Sequence, residues 1–331
     1  MHPPQPEVRP VRENRSVLER YWALVAGVLT GFGLRIAFGD MSNDSYSVMM
    51  ASFTLLVPVA VGAVTVFVAE RSKRRSWSFF FWSAAAANVL FVIGTFLVLI
   101  EGLICTVLAA PLFAIVGGVA GLLTGAVCRW AGRAPPIMLS VAALPLMAGM
   151  LEQHIPLPDG IDTVSTVRVV RATPEHVWQV ISHADDIRPE EIGSAWMYRI
   201  GVPLPISAIT EDLGDERMRH ISMGKGIAFD QIIVDWQPGR RVRYTYRFTE
   251  HSFPPRALDD HVRIGGEYFD LRDTEYSLEP VPEGTRLTAR MSYRVSTHFN
   301  WYARPVAKVL VGNFEESALA FYARRAESAA D

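Results

Sequence analysis

Cysteine is almost absent from this chain. Of its 331 residues only Cys105 and Cys128 are cysteines, both in or beside apolar runs. Two such residues exclude a disulfide framework and any cysteine-based metal motif. Catalytic signatures are missing as well: there is no G-x-S-x-G elbow, no H-E-x-x-H, no P-loop and no G-x-G-x-x-G opening a helix after a strand. None of the common nucleophile, zinc or nucleotide sites is therefore written in the sequence; this lowers the expectation of an enzyme without removing it, the catalytic residues are unknown, and no cofactor or metal is expected. Charge is scarce in one half. Residues 1–151 hold 11 Lys/Arg and 7 Asp/Glu, against 21 and 27 in residues 152–331. The net charge of −2 thus averages a charge-poor region at +4 and a charge-rich one at −6. Nothing in that balance supplies an extended basic surface for nucleic acid.

What the first half has instead is apolar length. Runs near residues 21–38, 48–69, 79–100 and 102–128 reach the length that crosses a bilayer, roughly 20 residues. Residues 45–69, 76–100 and 102–128 carry no charge at all, which a soluble helix rarely manages over such lengths. These runs account for a mean hydropathy of +0.18, high for a soluble chain. The stretch from Tyr21 lacks a small-residue cleavage site and is followed by further apolar runs, so it reads as a retained span rather than a signal peptide. A fifth run, 134–151, is shorter and carries Pro145; it could span, re-enter or lie at the interface.

The flanks fix an expected topology. Arg9, Arg12, Arg15 and Arg20 precede the first span, Arg71, Lys73, Arg74 and Arg75 join the second to the third, and Arg129 and Arg133 follow the fourth. Residues 39–47 and the 100–102 connection contain no Lys or Arg. By the positive-inside rule the tail, residues 1–20, is cytoplasmic and the region 21–151 lies in a plasma (inner) membrane. Residues 152–167 hold Glu152, Asp159 and Asp162 but no Lys or Arg. That favours a fifth crossing and an extracytoplasmic C-terminal domain; failure to cross would leave the domain cytoplasmic. Gly27 and Gly31, and Gly117, Gly121 and Gly125, put small residues on one helix face, for packing within the bundle or for a homo-oligomer contact. Arg35, near the outer end of its span beside Asp40, reads as a snorkelling side chain.

Residues 152–161 contain two prolines and a glycine and read as a short stiff linker to a domain over 162–331. Periodicity predicts a strand at 163–170, a helix opened by Thr173 and Pro174, and a second short helix at 185–192. Strands follow near 207–211, 217–223, 227–236, 241–250, 268–279 and 285–296, and an amphipathic helix over 301–329 closes the chain. Its apolar positions are Val306, Val309, Leu310, Phe314, Ala318 and Phe321.

This order joins several local patterns. They are Val167-Arg168-Val169-Val170 leading into Ala172-Thr173-Pro174-Glu175-His176-Val177-Trp178, the turn Trp236-Gln237-Pro238-Gly239-Arg240-Arg241-Val242, and Gly284-Thr285-Arg286-Leu287. Together they resemble the START-like (SRPBCC, polyketide cyclase/dehydrase) superfamily over about residues 162–327 and none of the apolar half. The resemblance implies an α+β helix-grip domain, in which a curved antiparallel sheet wraps the C-terminal helix around an apolar cavity, appended to an all-α transmembrane bundle of four or five spans. It also implies a lipid, sterol, polyketide or similar ligand, and in some members cyclase, aromatase or hydrolase activity.

If the sheet grips that helix, apolar alternating positions face inward. These are Val242, Tyr244, Tyr246 and Phe248 in one strand and Leu287, Ala289, Met291, Tyr293 and Val295 in another, with Met218, His220 and Ser222 together on the inner face of a third. The expected ligand contacts are His220, Tyr244, Tyr246, Phe248, Met291 and Tyr293, with Trp196 and Tyr198 as a lid. For each, the competing role is plain core packing. The loop from His251 to Gly266, with Phe253 and His261, would cover the cavity mouth or rest on the membrane. The expected function is membrane-anchored binding of a lipid-like or other small hydrophobic molecule. The alternatives are a cyclase/aromatase-type enzyme using Tyr244, Tyr246, His220 or Tyr293 as acid or base, and a structural role in which the helix surface serves assembly.

Overall fold

The computed structural model describes residues 17–40, 47–72, 74–132, 136–192, 195–214 and 216–328. Arg9, Arg12, Arg15, Lys73 and Arg133, used above for topology, lie outside them.

The apolar half folds as α1 (Val17–Asp40), α2 (Val57–Ser72), α3 (Trp77–Leu97) and α4 (Leu103–Trp130). With the π turn Ser52–Leu56 counted into the second, all four are long and apolar enough to cross a membrane. The π turn feeds α2 just before Pro58, a place where the missing proline N–H already breaks the α-helical ladder. Leu29, Ile36, Leu90, Leu97, Ile115 and Leu123 are exposed on the outside, the arrangement of a bundle that faces lipid. The interior is small and close-packed. A Cβ at Gly117 would stand 1.9 Å from Asn88 Nδ2, at Gly121 2.5 Å from the Phe80 carbonyl, and at Gly125 2.2 Å from the Phe80 ring. These three glycines therefore let α3 approach α4 inside one bundle and are buried there.

The fifth run is a 3₁₀ segment, Pro136–Ala143, continued by α5 (Leu144–Glu152). The first packs on α2 and the second on the π turn preceding α2, so the run travels the length of the bundle and delivers the chain to the end opposite Arg71, Arg75 and Arg129. At that end Glu152 accepts hydrogen bonds from the Ala51 and Ser52 amides at 2.6 and 2.7 Å, supplying orphan N–H groups of the incoming helix.

The second half is an eight-stranded sheet, antiparallel throughout, in the order β1-β8-β7-β6-β5-β4-β3-β2. The strands are β1 (Asp159–Val170), β2 (His183–Ala184), β3 (Pro205–Asp212), β4 (Arg217–Met223), β5 (Ala228–Gln237), β6 (Arg241–Arg247), β7 (Phe269–Val281) and β8 (Gly284–Ser296). Irregular register at 205/207, 233/235 and 271/273 bends the sheet, and α9 (Asn300–Ser328) packs against β1 and β8 in the resulting trough. Helix α6 (Pro174–Ser182) begins as expected, with the Thr173 hydroxyl accepting from the His176 amide and Pro174 in the first turn. The short helix expected at 185–192 shrinks to α7 (Pro189–Ile192), followed by α8 (Trp196–Arg199). Val309, expected on the buried stripe of α9, is exposed.

Candidate ligand-binding site

Between α9, the concave face of the sheet and one end of the bundle lies a cavity of about 390 Å³, within the usual range for small-molecule sites. Leu310, Phe314 and Ala318 of α9 form one wall, and Ile221, Phe229 and Met291 of the sheet face them. The cavity does not stop at the domain. It continues between the π turn, α3 and α4, where Phe53, Phe91, Ala109, Leu112 and Phe113 line it.

The two halves are joined by specific polar contacts around this opening. Asp259 accepts the Cys105 amide at 2.9 Å and so caps α4, whose own N-cap residue is Gly102 without a side-chain acceptor. A Cβ at Gly102 would fall 1.3 Å from the Asp259 carboxylate; only glycine leaves room for the cap. Tyr302 donates to the Leu108 carbonyl at 2.6 Å and Tyr268 to Ser47 at 2.9 Å. His298 Nδ1 lies 2.6 Å from the same Glu152 that caps the π turn. Arg35 pairs with Glu101 at 2.8 Å, and His261 approaches the other Glu101 oxygen at 3.7 Å. Thus Arg35 is held by an ion pair in the cavity wall, and the loop carrying Leu258, His261 and Val262 closes the cavity from the side.

The residues expected at the site are distributed unevenly. Tyr246, Met291 and Tyr198 line the cavity. Tyr246 is bonded to Thr274 at 2.5 Å, and burial pushes the Tyr246 and Tyr198 phenols up to about 12, so both remain neutral. Tyr244 and Tyr293 face inward yet do not line the cavity. Tyr244 is in the main core with Tyr276, and Tyr293 packs with Val295 and Val311 beneath α9. Phe248 stands behind the wall, stacked on Tyr246 with ring centroids 5.8 Å apart and grouped with Phe229 and Phe253. Trp196 lies in a shallow outer depression with Trp301, separated from the cavity by Leu108, Tyr302 and Val306, which line both.

His220 is a correction. It lies on the outer face, 2.7 Å from Asp230 and 3.6 Å from Glu211, while the inner face of β4 carries Arg219, Ile221 and Met223. Keeping every charge outside predicted the opposite alternation. The register sets Ile221 against Phe229 and Arg219 against Gln231, so seating two apolar residues in the cavity wall takes the arginine inward with them.

Nothing in the sequence pattern singles out Arg219, which the inner face of β4 carries into the cavity wall. It is 2% exposed; its guanidinium donates to the Tyr322 hydroxyl at 2.9 Å and lies 5.3 Å from the centroid of the Tyr244 ring. Its Nε and the Gln231 Oε1, both buried, have no hydrogen-bond partner among the described residues, and burying an unpaired charge costs several kcal/mol. Glu315 is a second such group, 1% exposed beneath α9 and bonded to Thr166 at 2.7 Å. Burial raises its carboxyl to about 7. Among the described residues no cluster of three His, Cys, Asp or Glu could hold a metal ion.

No protein-family model matches the chain, and no curated protein matches it. Solved structures are similar to its C-terminal half. An AHSA1-like protein from Aeromonas hydrophila shares 12% identity at a TM-score of 0.29, covering 51% of this chain and 94% of its own. A protein from Thermus thermophilus shares 19% at 0.32, covering 51% and 100%, and a Staphylococcus aureus protein of unknown function shares 12% at 0.33, covering 52% and 97%.

Proposed function

We propose that this protein is a membrane-embedded binding protein for a lipid-like or other small hydrophobic molecule, held by a START-like helix-grip domain of the polyketide cyclase/dehydrase type. One observation carries the reading: the domain's apolar cavity continues into the helical bundle. A soluble carrier needs no such continuity, whereas a molecule that partitions into the bilayer is concentrated where this cavity opens. The bundle is then part of the site as well as the anchor. The domain sits at the bundle end opposite Arg71, Arg75 and Arg129, which supports an extracytoplasmic position for it. Of the four acid–base candidates for an enzyme, Tyr246 alone lines the cavity, so binding is the better-supported activity.

The test is extraction of the full chain, purified from its membrane in a mild detergent, followed by mass spectrometry. An apolar molecule near 1:1 stoichiometry is expected, and its loss from Ala318→Trp, which fills the α9 wall, while the variant keeps its circular dichroism. A wild-type protein with no bound molecule, or an Ala318→Trp variant that retains it, contradicts the proposal.

A further inference from the structure

The cavity is lined mostly by apolar side chains and carries charge in two places: at the bundle, where Arg35, Glu101 and His261 face one another, and where the sheet meets α9. There Arg219, Gln231, Thr274, Tyr276 and Tyr322 converge from β4, β5, β7 and α9. Arg219 is charged at any accessible pH, and a buried guanidinium ordinarily has a carboxylate beside it. Here the groups around it are Tyr244, Tyr276 and Tyr322, and among the described residues it forms no ion pair. Burial lifts the Tyr244 phenol to about 12, so this tyrosine stays protonated and supplies no counter-charge. Glu315, the buried acid of α9, is bonded to Thr166 on β1 and does not line the cavity. The Asp273 carboxylate is paired with Arg243. The folded chain therefore presents to the cavity a buried cation with an unused N–H and, among the described residues, no carboxylate paired with it.

We infer that the ligand carries an acidic head group, carboxylate or phosphate, on an apolar tail, with the head against Arg219 and the tail running past Phe314 toward Phe113. The inference rests on the binding role proposed above and names the ligand class for that site. An anionic oxygen meets the free Nε–H and the remaining guanidinium donors in the charge-assisted geometry that arginine favours. The Gln231 side chain lies opposite Arg219 across β4 and β5; its unpartnered atom is the carbonyl oxygen, an acceptor, so the anion is held by Arg219. A neutral lipid would leave the guanidinium as unpaired as it is without ligand.

The experiment measures binding of radiolabelled palmitate, hexadecyl phosphate and hexadecanol, which share one chain and differ in head group, to the full chain in phosphatidylcholine nanodiscs. Wild type is expected to bind at least one of the two acids about tenfold or more tightly than the alcohol, and the preferred acid distinguishes a carboxylate from a phosphate source. Arg219→Met is expected to erase that preference while leaving hexadecanol binding in place, and Arg219→Lys to retain the preference. Equal binding of acids and alcohol by wild type overturns the inference and leaves the binding role standing. Absence of binding by all three overturns both. The wild-type comparison decides the question even where Arg219→Met fails to fold.

Discussion

Glu315 sits on the buried face of α9 with one oxygen on Thr166 and the other without a partner. Its carboxyl is raised from the ordinary 4.5 to about 7 by burial, so the folded chain holds this proton more tightly than the unfolded chain does. Between those two values stability falls as pH rises; the contribution is intact below the unfolded value and gone above the folded one. Full displacement is worth on the order of 3 kcal/mol. Glu315→Gln, which is neutral throughout, should raise the Tm at pH 8 and flatten the dependence between pH 5 and 7 in thermal melts of the detergent-solubilised protein. An unchanged pH dependence would assign it to other groups. The glycines allow an equally local test. A Cβ at Gly121 meets the Phe80 carbonyl and the Ala84 Cβ at 2.5 and 2.6 Å, whereas a Cβ at Gly33 meets nothing within 4 Å. Gly121→Ala should cost about 1–3 kcal/mol through overpacking; Gly33→Ala should cost none, and similar melts for the two would contradict the bundle packing described.

At the scale of elements, α4 depends on a residue far away in sequence. Its first turn has no side-chain cap of its own, and Asp259 provides one from the loop between β6 and β7. Asp259→Ala should lower stability by about 1 kcal/mol and speed amide hydrogen exchange at residues 103–106, while Asp259→Asn, which keeps an acceptor, should do less. Exchange unchanged in the alanine variant would show that the contact does not hold the helix. Most helices and strands were legible because they follow from periodicity: apolar runs for α1 to α4, alternation for β1 and β3 to β8, and Thr173-Pro174 for the start of α6; the four-residue α8 was not. What was not legible depended on partners across the chain. The facing of β4 is not legible because Arg219, Ile221 and Met223 alternate as regularly as Met218, His220 and Ser222. Only the register with β5 decides between them. Arg35 found Glu101, 66 residues away, and nothing local to either announces that pair. The two-residue β2 is too short for any periodicity to show.

At the scale of the whole molecule, the bundle and the domain share one cavity and are fastened around it by Asp259, Tyr268, Tyr302 and the Glu152–His298 contact. His298 and Glu152 are both largely buried, so His298→Ala leaves a buried carboxylate without its neighbour. It should loosen the domain on the bundle, read as faster proteolysis of the linker at 153–158 with the fold of the sheet retained; proteolysis at the wild-type rate would show that this contact does not fasten the domain. The central claim is that a single molecule reaches from the sheet into the bundle. It is tested most directly by photo-crosslinking the full chain in its own membrane, with p-benzoylphenylalanine at Phe314 on α9 or at Phe113 on α4, both cavity-lining, and at the outward-facing Leu123 as a control. The account predicts that the Phe314 and Phe113 positions capture the same small apolar molecule by mass spectrometry and that Leu123 captures bulk phospholipid. Different molecules at the two cavity positions, or bulk phospholipid at Phe113, would contradict it.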